Sequence, residues 1–249
     1  LTLIEGVGSV NAKKLLAYCG NFKAIFDSKK SHFEKIPGIG TILSNKIFSQ
    51  LSNKEIIERA EEEIEFMEEN GVVPILFSDS NYPLNLKQCE DGPVVLYGKG
   101  NIDFNTSKIL AVVGTRKVTT RGKDMCSKIL KDLVPQNPLV ISGMAYGVDI
   151  HAHKTCVENA IPTIGVLAHG LDRLYPEIHH ATAKKMLKTG GLITEFMSGT
   201  NPDRENFPTR NRIIAGLADA TLVIESARRG GSLITAEIAN SYSRDVFAV

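Results

Sequence analysis

FPTRNRIIAGLADATLVIESARRGGSLITAE, residues 207–237, decides the reading of the fold. Arg210, Arg212, Asn211 and the aromatic Phe207 stand just ahead of an apolar helical run. A β-rich run, ATLVIE, follows, and Arg228-Arg229-Gly230-Gly231-Ser232 then opens another helix. Helix, short apolar strand and helix in succession are the repeating unit of a parallel sheet. Arginines, glycines and a serine at strand-to-helix junctions also suit an anion. Glycine lets the backbone approach a phosphate, and free amides at a helix N-terminus point at it.

The same alternation extends back to Ile109. Strands are expected at Ile109–Val113, Leu139–Ser142, Thr163–Leu167, Leu192–Phe196, Thr221–Glu225 and Val246–Val249, with a helix over about Arg121–Leu133. Crossovers between parallel strands are right-handed, and ligands sit beyond the C-terminal strand ends. The residues that follow each strand therefore form one edge. They are Gly114, Thr115, Arg116 and Lys117, then Ser142, Gly143, Gly147 and Asp149, then His169, Arg173 and Tyr175. The polar loop 197–206 with Phe207, Arg210 and Asn211 comes next, and Ser226, Arg228, Arg229, Gly230, Gly231 and Ser232 complete the edge. This edge is expected to be a positive groove paved with backbone amides.

Several of these residues carry a plain structural reading as well. Gly143 and Gly147 also suit a tight strand-to-helix turn. Asp149 fits a helix cap as well as a ligand contact. Arg212 fits a salt bridge, whereas Arg116 and Arg210 are the better phosphate candidates. Phe207 fits the core, or a stacking platform for a base. His151 and His153 lack a matching Cys or His pair and read as structural. His179-His180 reads as the exposed start of a helix.

Upstream, residues 1–70 read as all helical. Leu3-Ile4-Glu5-Gly6-Val7-Gly8 leads into Ser9–Tyr18, and Lys35-Ile36-Pro37-Gly38-Ile39-Gly40 leads into Thr41–Phe48. This duplicated pattern is that of a helix-hairpin-helix, whose second helix can present amides to a DNA phosphate or simply pack. Ser52 to Asn70 forms one amphipathic helix ended by Gly71. Short strands at Val72–Phe77 and Val94–Tyr97 link this part to the rest. The expected division is residues 1–70 as an accessory helical domain and 71–249 as an extended Rossmann-like domain, its C-terminal end truncated.

Composition adds boundaries. The 249 residues are 43% hydrophobic and 23% charged, ordinary for a soluble globular chain. A net charge of +1 means that any positive field is local. Seven glutamates between Glu58 and Glu69 supply opposing acid. Four cysteines, spread singly, read as reduced thiols of a cytoplasmic protein. No window is long and apolar enough for a membrane span. The glycine fingerprint of NAD binding, the P-loop and paired catalytic residues are absent from the motifs. Neither a cofactor nor a metal is expected, and the chain reads as a binder, not an enzyme.

Taken in order, VVGTRKVTTRG (112–122), VISGMAYGVDIHAH (140–153), HGLDRLYPEIH (169–179), TEF (194–196), residues 207–239 and RDVFAV (244–249) resemble the DNA-processing protein A family, DprA or Smf, of bacterial transformation. YPLNLKQCEDGPVVLYGKG (82–100) is similar to that family's entry into its Rossmann domain. The resemblance implies a non-enzymatic homodimer. It would bind and protect incoming single-stranded DNA and load the RecA recombinase on it during natural transformation. By motif, Arg116 corresponds to a phosphate-binding arginine, Phe207 to a base-contacting aromatic, and Arg210 and Asn211 to adjacent polar contacts. Gly143, Gly147, Gly231 and Ser232 would form backbone nests. The sequence departs by stopping before the family's usual C-terminal winged-helix domain. Gly114, Thr115, Lys117, Ser142, Arg173 and Arg228 complete the candidate DNA-binding set.

Two other readings compete. Gly230, Gly231 and Glu237 have the spacing of the PGGxGTxxE motif of nucleotide phosphoribohydrolases, but Arg229 replaces the proline and Leu233-Ile234 the Gly-Thr. Alternatively, the hairpins bind duplex DNA and the sheet domain serves dimerisation.

Overall fold

A computed structural model describes every residue of the chain except Asn105, Ser107 and Arg229. The N-terminal segment folds into helices α1 (Ser9–Cys19), α2 (Phe22–Phe26), α3 (Lys30–Phe33), α4 (Thr41–Gln50) and α5 (Lys54–Asn70). The two hairpins repeat each other in backbone detail. Gly6 and Gly38 turn at φ 84° and 83°, a conformation that L side chains rarely adopt. Gly8 and Gly40 are the extended N-caps of α1 and α4. The bonds Val7 N–H to Ile4 O and Ile39 N–H to Ile36 O are both 2.9 Å. Ile4, Val7, Leu15, Ile36, Ile39 and Ile47 meet in a common core. Gly71 ends α5 in the left-handed conformation.

Among the described residues, eight strands follow, interleaved with helices. They are β1 (Val73–Leu76), β2 (Val95–Gly100), β3 (Ile109–Val113), β4 (Leu139–Gly143), β5 (Thr163–Val166), β6 (Gly191–Thr194), β7 (Ala220–Val223) and β8 (Asp245–Ala248). Their order in one sheet is β1-β2-β6-β5-β4-β3-β7-β8. The six strands from β6 to β8 are parallel, and β1 and β2 extend the β6 edge antiparallel.

Buried parallel strands are apolar on both faces, and alternate residues serve opposite layers. In β3, Val112 packs under α7 (Thr120–Asp132) and α8 (Val148–Glu158) with Cys126, Leu130 and Cys156. Its neighbours Ala111 and Val113 face the other layer, where Ile213, Ile214 and Leu217 of α10 (Asn206–Leu217) cover the sheet. Helix α6 (Leu84–Lys87) adds Leu86 to that layer, and α9 (His180–Met186) packs Ala183 and Met186 with Leu192. Helices thus cover both faces, as the alternation implies. Strands β6 and β7 stop two residues before their expected ends. At β6 the Phe196 N–H turns back to Thr194 Oγ1 at 3.1 Å.

The helical segment and the sheet are bolted together by buried polar contacts. Glu63 of α5 is 3% exposed. Its carboxylate accepts the Ser198 N–H at 3.0 Å, the Ser198 hydroxyl at 2.5 Å and Arg59 at 2.8 Å. Lys13 of α1 donates to the Cys89 carbonyl at 2.7 Å. Val94 and Phe77 close the bottom of the helical core. Among the described residues, no helix is long and apolar enough to cross a membrane.

Candidate functional site

The strand order reverses at β3. Its chain continuation runs to β4 on one side, and β7 returns to pair on the other. A crevice is expected beyond the carboxyl ends of strands at such a point. A groove of about 640 Å³ lies there. Gly114, Thr115 and Arg116 after β3 form one part of it, Phe207, Arg210 and Asn211 of α10 another, and Gly231 and Ser232 of α11 (Gly231–Ser241) a third.

The loop after β3 is held from both sides. Thr115 donates its N–H to Glu225 O at 2.7 Å and accepts the Val148 N–H at 3.1 Å. Gly147 adopts φ 81°, and a Cβ there would overlap the Thr115 carbonyl and lie 2.7 Å from the Arg116 Cα. Gly147 therefore does not line the groove; it seats the residue that does. Arg116 is exposed, and its guanidinium lies 5.4 Å from the centre of the Phe207 ring. Tyr175 meets the same ring edge-on at 6.3 Å.

The helix N-termini that follow β3 and β7 differ. That of α7 is closed: Thr119 Oγ1 accepts the Gly122 N–H, and Glu225 accepts the Thr119 N–H at 3.0 Å. The N-cap of α11 is Gly230, with no side-chain cap. Gly230, Gly231 and Ser232 at its start line the groove with Arg116 and Asn211, and an uncapped helix N-terminus suits an anion.

Arg210 departs from its expected role. It is 4% exposed, donates to the Val166 carbonyl, and lies 5.9 Å from the Phe207 ring centre. Its guanidinium and the Asp149 carboxylate flank Gly143, where a Cβ would come 2.7 Å from Arg210 Nη1 and 2.5 Å from Asp149 Oδ2. Burial pushes the Asp149 carboxyl up to about 6, although Arg210 pulls it down. Burial likewise brings Arg210 down to about 10. Buried among these groups, Arg210 is the floor of the groove, and the exposed Arg116 is its outward cation.

Other candidates do not reach the groove. Ser142 is fully buried, and its hydroxyl donates to the Val112 carbonyl at 2.6 Å. Gly143 only makes room for these two buried side chains. Lys117 is exposed beside the groove. Arg173 is engaged by Asp172 at 2.8 Å and by Asn201. Arg228 is exposed in the turn before α11, and Arg229 lies outside the described residues. Glu237, required by the hydrolase motif, is exposed and absent from the groove lining. Arg212 forms the salt bridge suggested for it, with Glu195, and also donates to Asp91 O at 2.6 Å.

Three side chains singled out less by sequence are present: Arg204, Pro202 and Tyr175. Arg204 sits in the polar loop 197–206, where an exposed cation was the available signal. The expectation for His179 is corrected. It is 5% exposed, not a surface residue, because its Nδ1 hydrogen bonds to the Met144 carbonyl at 2.8 Å beneath Tyr146. His153 is structural as expected, buried between Gly143 O and Thr163 Oγ1.

A sequence model of the family described as DNA recombination-mediator protein A matches residues 74–249. The chain belongs to this family. Protein Smf of a Synechocystis species is 33% identical over 250 residues, covering 99% of this chain and 62% of that protein. The crystal structure of DNA processing protein A from Streptococcus pneumoniae matches with TM-score 0.82 and 28% identity, over 99% of this chain and 83% of that one. DNA processing protein A from Helicobacter pylori matches with TM-score 0.64 and 27% identity, over 71% and 80%. The family match spans β1 to β8 and includes every residue of the groove. The chain spans about three fifths of the length of the curated relatives it matches.

Proposed function

We propose that the groove binds single-stranded DNA without strong sequence preference and without chemistry of its own. One observation carries the reading. An exposed arginine stacks on an aromatic ring in a groove whose far wall is an uncapped helix N-terminus. Phosphates would rest against Arg116, Arg204 and the amides of Gly231 and Ser232, while Phe207 stacks a base. The Helicobacter pylori protein, similar over 71% of this chain, binds single-stranded DNA, which supports the same ligand here.

In this reading the protein shields incoming strands and passes them to RecA during natural transformation, as a cytoplasmic homodimer. Residues 1–70 form an accessory domain, and residues 71–249 carry the DNA site. The test is fluorescence anisotropy with labelled poly(dT) and a matched duplex across a salt series. Tight, salt-sensitive binding to poly(dT) and weak duplex binding are expected. Preference for the duplex would move the function to the hairpins, whose repeated turns present two further helix N-termini.

A further inference from the structure

We propose that the cleft between α5 and the outer strands β1 and β2 is a docking site for a basic amphipathic helix of a partner protein. The cleft shares no lining residue with the groove.

Its volume is about 310 Å³. Ala60, Ile64 and Met67 of α5 form one wall and recur at helical spacing. Pro74 with Tyr97 and Leu76 with Val95, paired across β1 and β2, form the other. Residues two apart on a strand share a face, so these four side chains make one apolar patch of sheet. A sheet face of this kind is ordinarily covered by a helix. Helix α5 covers it only in part, and Ile64 stays 50% exposed at the rim.

The walls are already set. The Val72 N–H donates to the Met67 carbonyl at 2.9 Å, and further along the same helix Glu63 accepts the Ser198 N–H at 3.0 Å. A cleft fixed in this way loses little freedom when an occupant arrives.

The rim identifies the occupant. Around the helix from Ile64, on the side away from Arg59, stand Glu68, Glu61 and Glu65. All three are exposed, and among the described residues none of them forms an ion pair. Unpaired carboxylates repel phosphate, so neither a nucleic-acid strand nor an anionic lipid surface suits this cleft. Lysines or arginines of a partner would meet the glutamates, while leucine-like side chains from the same helix enter between the walls. An amphipathic helix laid into an apolar groove is a common mode of peptide recognition, and here the charge on the rim sets its sign.

The test uses the full chain and a labelled Leu/Lys peptide with its leucines at helical spacing. One control peptide carries glutamate for every lysine, and another has the Leu/Lys composition with no leucine period. Fluorescence anisotropy should show binding of the first peptide alone. Ile64→Gln should weaken it ~tenfold, the scale of one buried apolar side chain. Glu61→Gln combined with Glu68→Gln should weaken it several-fold at low salt, with the difference gone at high salt. All these positions are exposed, so unchanged melting temperatures report that the variants are folded. Equal binding of the three peptides, or of none, would overturn the proposal. Native affinity in Ile64→Gln would place the peptide elsewhere and overturn it too. Self-association of the chain that is lost in Ile64→Gln would give the cleft to a second copy instead of a basic helix.

Discussion

Gly147 is packed directly against the backbone of Arg116: a Cβ at position 147 would lie 2.7 Å from the Arg116 Cα and 2.6 Å from its carbonyl carbon. The glycine that opens α8 thereby fixes the cation that opens the groove. Gly147→Ala adds a methyl with no space at φ 81°. We expect ~1–3 kcal/mol of lost stability from the backbone conformation alone, and a weaker grip on single strands. A thermal melt and a binding isotherm on the same preparation check both. Native affinity in a destabilised variant would mean that Arg116 is positioned by something else.

Arg116 and Arg210 should separate cleanly when replaced. Arg116→Ala removes an exposed cation, so stability should change by less than ~0.5 kcal/mol. Affinity for all sequences should fall, and the salt slope should shrink by ~0.7 for each lost phosphate contact. Arg210→Ala removes a buried guanidinium, its bond to the Val166 carbonyl and a nearby positive charge that lowers the Asp149 carboxyl. Losing a buried charged hydrogen-bonding group of this kind costs ~1.5–3 kcal/mol. Equal melting temperatures for the two variants would contradict the assignment of Arg210 to the floor.

Gly231 offers a substitution that the fold should accept. Nothing lies within 4 Å of a Cβ there, and its φ is not in the left-handed region. Gly231→Ala should therefore melt at or slightly above the native temperature, since alanine favours helix. Its methyl would stand where a phosphate must approach the α11 amides, and affinity should drop several-fold. Undiminished binding would remove the α11 N-terminus from the site.

Acid should reveal two opposed buried groups. Burial pushes the His153 imidazole down to about 4 from 6.5. Between those values the unfolded chain binds a proton that the folded chain does not, so stability falls as pH drops. Asp149 runs the other way, at about 6 when folded against 3.8. Its contribution is present below 3.8 and is lost as pH rises through 6. The two partly cancel in the native chain. Asp149→Asn should lose stability more steeply than the native protein on acidification through this window. Parallel melting curves for the two proteins across the window would rule out the opposition.

Much of this molecule could be read before it was seen. Ile109–Val113 is a strand at the residues the apolar run marks, and the paired Gly-x-Gly turns of the hairpins are two copies of one backbone. Both are local signals, set by periodicity and by glycine. The edge inventory named most of the groove for the same reason, because strand ends and the loops after them lie in known places. Side-chain direction was not legible. Strand β4 is buried on both faces, so no alternation tells which way the Ser142 hydroxyl points, and it points into the sheet. Arg210, Asn211 and Arg212 are adjacent on one helix, and only packing decides that Arg210 goes to the floor and Arg212 to Glu195. The edge inventory puts Tyr175 and Phe207 on one side of the sheet, but only packing brings their rings edge-on at 6.3 Å.

Glu63 of α5 grips Ser198, and Ser198 belongs to the loop that leads to Arg204 and Phe207. That loop is thus anchored at one end to the N-terminal helices and at the other to the head of α10. A strand pulled along the groove would transmit its tension through Ser198 into α5, so the load is shared between two cores instead of falling on the sheet alone. Helix α5 is in this respect a mechanical footing for the groove.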